Sequence, residues 1–248
     1  MKVDIILPIH NGEKYVEKAI CSILSQSYKD WRLIVIDDVS TDNSVEIVKS
    51  FANVYPNKIR LICLEKNLRA AGARMVGINK SDGELIAFID QDDVWKENKL
   101  EEQVKYLKKH PNIDVLYTDI DYIDLNGTNL DHLAVKDNKR RYREFNKSLN
   151  GSIALSLFNT NSIRILTAVI KRKVFENLGG FDTVLFGGEE WEFWVRVAAS
   201  GYKISYLPII TASRREHTSN VTKTYHNNRS LGLIEAYHKV IKQFPQFI

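Results

Sequence analysis

The feature that most restricts how this chain can fold is an alternation. Short apolar runs at residues 3–7, 33–36, 59–64 and 85–89 are separated by segments whose apolar residues recur at helical spacing, at 14–25, about 44–51 and 70–79. Strand-length runs alternating with helices give βαβ units and a largely parallel sheet covered on both faces. In open sheets of this kind, ligands bind beyond the carboxyl ends of the strands. Those ends here are Pro8-Ile9-His10-Asn11-Gly12, Asp37-Asp38, Asn67 and Asp90-Gln91-Asp92-Asp93. One sheet edge therefore collects an imidazole and several carboxylates.

The densest of these ends follows Leu85-Ile86-Ala87-Phe88-Ile89, an apolar strand that empties into three aspartates within four residues. Their mutual repulsion leaves two readings open. The turn is a helix N-terminus, where aspartate favours the dipole, or it is a cation site. Oxygen-only ligands at a strand end suit Mg²⁺ or Mn²⁺, with nucleotide phosphates completing the shell. The chain has no GxGxxG or GxxxxGK[ST] loop, which disfavours a dinucleotide fold and a phosphate-loop NTPase. Phosphate would then be held by metal and basic side chains.

The second half is less regular. Its pattern predicts helices over 99–110, 172–178, 190–200 and 231–242, strands over 115–118, 167–170 and 204–207, and a hairpin turn at Asn126-Gly127. A second acidic pair, Asp119-Ile120-Asp121, alternates along a strand; it lines a binding cleft or simply solvates an edge strand. With no internal repeat and no clear linker, residues 1–248 read as a single domain, divided at about residue 115, with a terminal helix after residue 225.

Composition excludes several classes. The chain is 44% hydrophobic, with no apolar run long enough to cross a bilayer. Met1 to Pro8 is too short and too soon broken for a signal peptide, so a cytoplasmic location is expected. Cys21 and Cys63 lie in apolar patterns and are expected to be buried free thiols. The net charge of +4 is matched by one segment, 136–147, in which Lys136, Lys139, Arg140, Arg141, Arg143 and Lys147 face only Asp137 and Glu144. Such a run is a solvated segment, or a peripheral contact with an anionic membrane surface at its inner face or with an anionic acceptor. No nucleic-acid partner is expected.

Five motifs occur in order: Pro8-Ile9-His10-Asn11; Val35 to Asp42; Asn67 with Ala73-Arg74; Gly83 to Asp93; and Gly188-Glu189-Glu190-Trp191-Glu192-Phe193-Trp194. Together they resemble the inverting GT-A glycosyltransferases of family two, from nearly the first residue to about residue 222. The resemblance implies an α/β GT-A fold: a Rossmann-like, mostly parallel central sheet flanked by helices, with a smaller mixed acceptor-side subregion. Residues 1–115 would be the nucleotide-sugar donor half and 116–225 the acceptor half.

The resemblance also assigns roles. Asp92, with Asp90 beside it, would hold Mn²⁺ or Mg²⁺, and His217 of the Arg215-Glu216-His217 segment would complete the shell. Asp38 would read uracil and His10 would stack on it. Pro8, Asn11, Asn67, Arg74, Asp90, Gln91, Asp93 and Arg215 would complete the donor-binding set, with Asp90 on the ribose or the metal shell, Asp93 orienting the donor sugar or capping the following turn, Arg74 reaching phosphate or the acidic cluster and Arg215 clamping a phosphate. Glu190 would take the proton from the acceptor hydroxyl, one methylene longer than the family's usual aspartate, with Glu192 as the runner-up. A carboxylate at a helix start favours its charged form, which suits a base. Glu189, Trp191, Asp119 and Asp121 are the acceptor-side candidates, Trp191 as a floor under a sugar ring; Trp194 reads as core. The chain departs from the family pattern at Arg69, which occupies the usual glycine position, and at Met75.

The expected activity is metal-dependent transfer of a sugar from a nucleotide-sugar donor, most naturally a UDP-sugar, to a hydroxyl of a glycan or lipid-linked oligosaccharide, with inversion. Two alternatives remain: a nucleotide-sugar-binding module without turnover, and a sugar-phosphate nucleotidyltransferase, which would need a glycine-rich loop after the first strand.

Overall fold

The computed structural model describes residues 1–130, 132–133, 138–139, 153–216 and 226–245. Its centre is an eight-stranded sheet of β1 (Val3–Ile9), β2 (Trp31–Asp37), β3 (Ile59–Cys63), β4 (Leu85–Phe88), β5 (Val94–Trp95), β6 (Val115–Ile123), β7 (Val169–Lys171) and β8 (Ile204–Arg215), in the order β3-β2-β1-β4-β7-β6-β8-β5. The first four strands are parallel, and β6 and β8 are parallel to each other. Only β7 and β5 run against their neighbours. Two reversals across β7 bring β6 and β8 back into the direction of β1–β4, so all six carboxyl ends share one edge of the sheet.

Because both faces are covered, the strands are apolar along their length rather than alternating. On one face Ile5 and Leu7 pack with Val16, Ala19, Ile20 and Ile23 of α1 (Val16–Leu24), Val48 of α2 (Ser44–Val54) and Leu100, Val104 and Leu107 of α4 (Lys99–Lys109). On the other, Ile6, Ile86 and Phe88 pack with Ile78 of α3 (Arg69–Asn79), Ala154 of α5 (Ile153–Asn159), Phe175 of α6 (Arg172–Leu178), Phe193 and Trp194 of α7 (Glu189–Ala199) and Ala236 of α8 (His226–Gln243). Trp194 is core, as expected.

Several elements depart from the expectations. Pro8 closes β1 half-buried, beyond the last β1–β4 pair at Ile6–Phe88, so its missing N–H breaks no ladder bond on that side. β8 runs eight residues past Leu207 because register shifts against Thr118 and Asp119 absorb Pro208 in a bulge. Strand β5 and helix α5 carry too short a pattern to be foreseen. Asn126-Gly127 does turn the chain, with Gly127 at φ +92° and the Asp124 carboxylate accepting from the N–H groups of Asn126 and Thr128. The two cysteines are free but exposed, not buried: Cys21 lies on the outer face of α1 and Cys63 ends the edge strand β3. Of the basic segment 136–147, only residues 138–139 are described.

A lysine is carried into the core. Lys99 is fully buried and its ammonium donates to Gln103 Oε1 (2.8 Å) and the Thr167 carbonyl (3.2 Å), with no carboxylate among these partners. Burial pushes its pKa well below the ordinary lysine range.

Candidate active site

The acidic turn is not a helix start. Asp93 N–H closes it on the Asp90 carbonyl (3.1 Å), β5 follows, and α4 begins only at Lys99. Its residues divide by direction. Asp90 and Asp92 are half-buried at the rim, whereas Asp93 is 4% exposed and accepts from Arg215 N–H (2.9 Å). Burial first, then the charges of Asp92 and Asp90, push the Asp93 carboxyl well above its usual range. Asp93 therefore does not reach towards a donor; it seats the turn on β8.

Arg215 is likewise turned inward. It is 2% exposed, and its Nε and Nη1 donate to the carbonyls of Asp92 (3.0 Å), Asp124 (2.8 Å) and Leu125 (3.2 Å). A guanidinium engaged on backbone carbonyls in the interior is a brace for the acidic turn, not a phosphate clamp. The bulge in β8 is what carries Arg215 to that place, and a strand ended at Leu207 could not show it. His217 lies outside the described residues.

The loops after β1, β2 and β3 are joined to one another through the motif side chains. Gln91 uses its whole amide on His10, accepting from its N–H (2.8 Å) and donating to its carbonyl (3.1 Å), so it shapes the loop instead of offering itself to a donor. Asn11 accepts from Thr41 N–H (2.8 Å), which ties the β1 loop to the β2 loop. The His10 ring is exposed, and its Nδ1 lies 2.8 Å from the Asp38 carbonyl. A carbonyl can only accept, so Nδ1 carries the proton. Asp38 is buried, with Oδ1 accepting from Leu68 N–H (2.6 Å) and its carbonyl from the Asn67 amide (3.3 Å).

Backbone strain gathers on the same rim. Among the described residues the non-glycine positions with positive φ are Asn11 (+49°), Val39 (+65°) and Arg69 (+61°), one beyond each of β1, β2 and β3. Valine is the least tolerant of the three, because its branched Cβ crowds the following carbonyl. Val39 had no signal in sequence beyond its place between Asp38 and Ser40.

Across from this rim, Gly188 (φ +85°) caps α7, whose first turn carries Glu189, Glu190 and Glu192. Arg74 links the two sides. It is 3% exposed, and donates to Asp90 Oδ1 (2.7 Å) and Glu190 Oε1 (3.0 Å), with Glu189 at 3.9 Å. Burial works against its charge, yet Asp90, Glu190 and Glu189 together hold the guanidinium above its ordinary value. Of the two roles expected for Arg74, the geometry shows the contact with the acidic cluster.

Four further candidates fall elsewhere. Glu192 is 1% exposed and held in two bonds by Arg196 (2.6 and 2.8 Å). Trp191 is not a floor for a sugar: it is 3% exposed, donates to the Leu157 carbonyl (2.8 Å) and packs on Phe158 and Tyr237. Asp119 and Asp121 are buried between β7 and β8, so neither edge solvation nor a place on an open cleft describes them. Tyr206 donates to Asp119 (2.7 Å), and Lys96 pairs with Asp121 (2.7 Å).

No group of three or more histidine, cysteine, aspartate or glutamate side chains converges as a metal cage among the described residues. Asp90 and Asp92 instead offer oxygen alone at an open rim. That donor set fits a hard divalent cation that takes most of its shell from phosphates and water.

The family model described as "Glycosyl transferase family 2" matches residues 4–179. This chain belongs to glycosyl transferase family 2. The match covers the acidic turn and Arg74 and stops short of Glu189 and Glu190. The chain is 39% identical over 125 residues to the "UDP-Glc:alpha-D-GlcNAc-diphosphoundecaprenol beta-1,3-glucosyltransferase WfgD" of Escherichia coli, covering 50% of this chain and 48% of that one. The fold is that of GT-A glycosyltransferases. It superposes on Staphylococcus aureus TarS, crystallised with UDP-GlcNAc, at a TM-score of 0.73 (19% identity, 97% of this chain, 67% of that one). The mannosyltransferase PcManGT of Pyrobaculum calidifontis, crystallised with GDP-Man and Mn²⁺, superposes at 0.70 (22% identity, 97% of this chain, 64% of that one). The chain spans about half the length of WfgD and of a second curated relative, TuaG of Bacillus subtilis. Among the described residues no helix is long and apolar enough to cross a membrane.

Proposed function

We propose that this chain transfers one sugar from a UDP-sugar to a hydroxyl of a glycan or lipid-linked oligosaccharide, inverting the anomeric centre. The observation that carries this reading is the Arg74 bridge, which holds the acidic turn and the Glu190 carboxylate on the same guanidinium. A donor diphosphate at the turn and an acceptor hydroxyl at Glu190 would then approach from opposite sides. WfgD, whose name gives a UDP-glucose donor and a diphosphoundecaprenol-linked acceptor, supports both substrate classes. TarS and PcManGT, crystallised with nucleotide sugars, support the donor class.

In this reading Asp38 accepts the base's imide N–H and the exposed His10 ring lies against the base. Glu190 takes the hydroxyl proton as the acceptor oxygen bonds to the anomeric carbon, and the bond from that carbon to the diphosphate breaks with its electron pair leaving on phosphate. Asp92, with Asp90, would hold Mn²⁺ or Mg²⁺, which when bound neutralises charge gathering on the diphosphate. The buried brace of Asp93 and Arg215 keeps these carboxylates in place.

The test is UDP release in the presence of Mn²⁺ with the parent, Glu190→Gln and Asp92→Asn. Removing a general base is expected to lower kcat by about 10²- to 10⁴-fold while UDP binding persists, and Asp92→Asn should weaken UDP binding and its dependence on metal. Full turnover in both variants would overturn the assignment. A parent that binds UDP-sugar but never releases UDP would make the chain a binding module.

A further inference from the structure

Arg69 stands at the start of α3 at φ +61°, a left-handed conformation that glycine adopts freely and L side chains rarely do. Its guanidinium lies 4.8 Å from the centroid of the Phe186 ring. Phe186 precedes Gly187 and Gly188, both at positive φ (+90° and +85°), and these lead directly into Glu189 and Glu190.

The same segment is seated from behind by α8. A Cβ on Gly232 would come within 2.1 Å of the Phe186 carbonyl oxygen and 2.8 Å of that of Gly187, so only glycine lets the helix lie against this backbone. Phe186 is thus fixed at its ring by Arg69 and at its carbonyl by α8. The turn bearing Arg69 is itself held to Asp38, through Leu68 N–H to Asp38 Oδ1 (2.6 Å), the Asn67 amide to the Asp38 carbonyl (3.3 Å) and Arg69 N–H to Asn67 Oδ1 (3.2 Å).

We propose that Arg69 is a positioning residue: its contact with Phe186 ties the loop presenting Glu190 to the turn that surrounds Asp38. The proposal rests on the reading of Glu190 as the base. Two glycines give the 187–188 backbone wide freedom, and a cation on the preceding aromatic ring narrows it.

The experiment compares the parent with Arg69→Gly and Arg69→Lys. Hydrogen–deuterium exchange of a peptide spanning 184–190 is read on the ligand-free chain, and kcat for UDP release and the Kd for UDP with Mn²⁺ are read on the loaded one. Arg69→Gly is expected to accelerate exchange in 184–190 and lower kcat by about two- to fivefold, the size of an exposed cation–π contact. Its Kd for UDP should hold within the same range, and its thermal midpoint should stay level or rise as strain is relieved. Arg69→Lys, which keeps a cation over the ring, should recover both. Unchanged exchange and kcat in Arg69→Gly would overturn the proposal, leaving Arg69 a strained surface residue. If exchange accelerates while the parent itself releases no UDP, the loop contact stands and the assignment of Glu190 falls.

Discussion

The rim formed by the loops after β1, β2 and β3 and the rim that carries Glu189 and Glu190 are stabilised by opposite means. The first is rigid by redundancy: Gln91, Asn11, His10, Asn67 and Asp38 bond to neighbouring loop backbone, and three left-handed residues are held in strain. The second turns on Gly187 and Gly188, and is held by the Arg74 ion pairs, the Phe186 contacts and the packing of α8. A nucleotide pocket benefits from being formed in advance, since ordering loops on binding costs affinity. In the proposed reading the base sits on the more adjustable of the two mounts.

Substitutions should separate the two rims. The largest effect is expected from Arg74→Met, which leaves Asp90 and Glu190 without their shared partner. A loss of about 3 kcal/mol in chemical unfolding follows, at the low end for a broken buried pair because both carboxylates are partly solvated. UDP release should fall with it; a variant with full stability and turnover would dissolve the contrast. Next comes Arg215→Met, beneath the acidic turn. Stranding the carbonyls of Asp92, Asp124 and Leu125 should cost about 2 kcal/mol and weaken metal-dependent UDP binding more than it slows release from the bound state. Val39→Gly tests the strain of the first rim, and should raise stability by about 1 kcal/mol or less, the relief of a left-handed valine set against glycine's added chain entropy.

Lys99→Met, remote from both rims, is the control and is read by sign. The folded lysine has its pKa depressed by burial, so between that value and the unfolded value near 10.5 the unfolded chain binds more protons. The parent should therefore gain stability relative to the variant as pH rises from 7 towards 10, measured by thermal unfolding. A difference that is flat or falls with pH would place the charge of Lys99 elsewhere than supposed.

Much of this architecture was legible in the sequence, for physical reasons that also mark where legibility stopped. Residues 85–89 announced themselves because a strand covered on both faces must be apolar throughout, and the aspartates after it had to lie at the sheet edge. The direction of each side chain within that turn was not legible. Asp92 and Asp93 are adjacent in sequence yet point to rim and interior, and what decides between them is Arg215, more than a hundred residues on and past a bulge. Trp191 and Trp194 share a helical stripe, and periodicity alone does not reveal that Leu157 and Phe158 of α5 and Tyr237 of α8 cover Trp191. Gln91 and Asn11 lie at the sheet edge; that the Gln91 amide and the Asn11 side-chain oxygen are occupied by backbone needs the loops in three dimensions.

The brace at Arg215 has a consequence for how the molecule can be divided. The acidic turn belongs to the first hundred residues, but the group that fastens it comes at the end of β8. A fragment ending near residue 115 would keep the parallel strands and every loop of the first rim, yet its carboxylates would hang from an unanchored turn. The half that carries the first rim is thus not a portable module, and truncation or fusion must carry the chain through β8 to keep the acidic turn anchored.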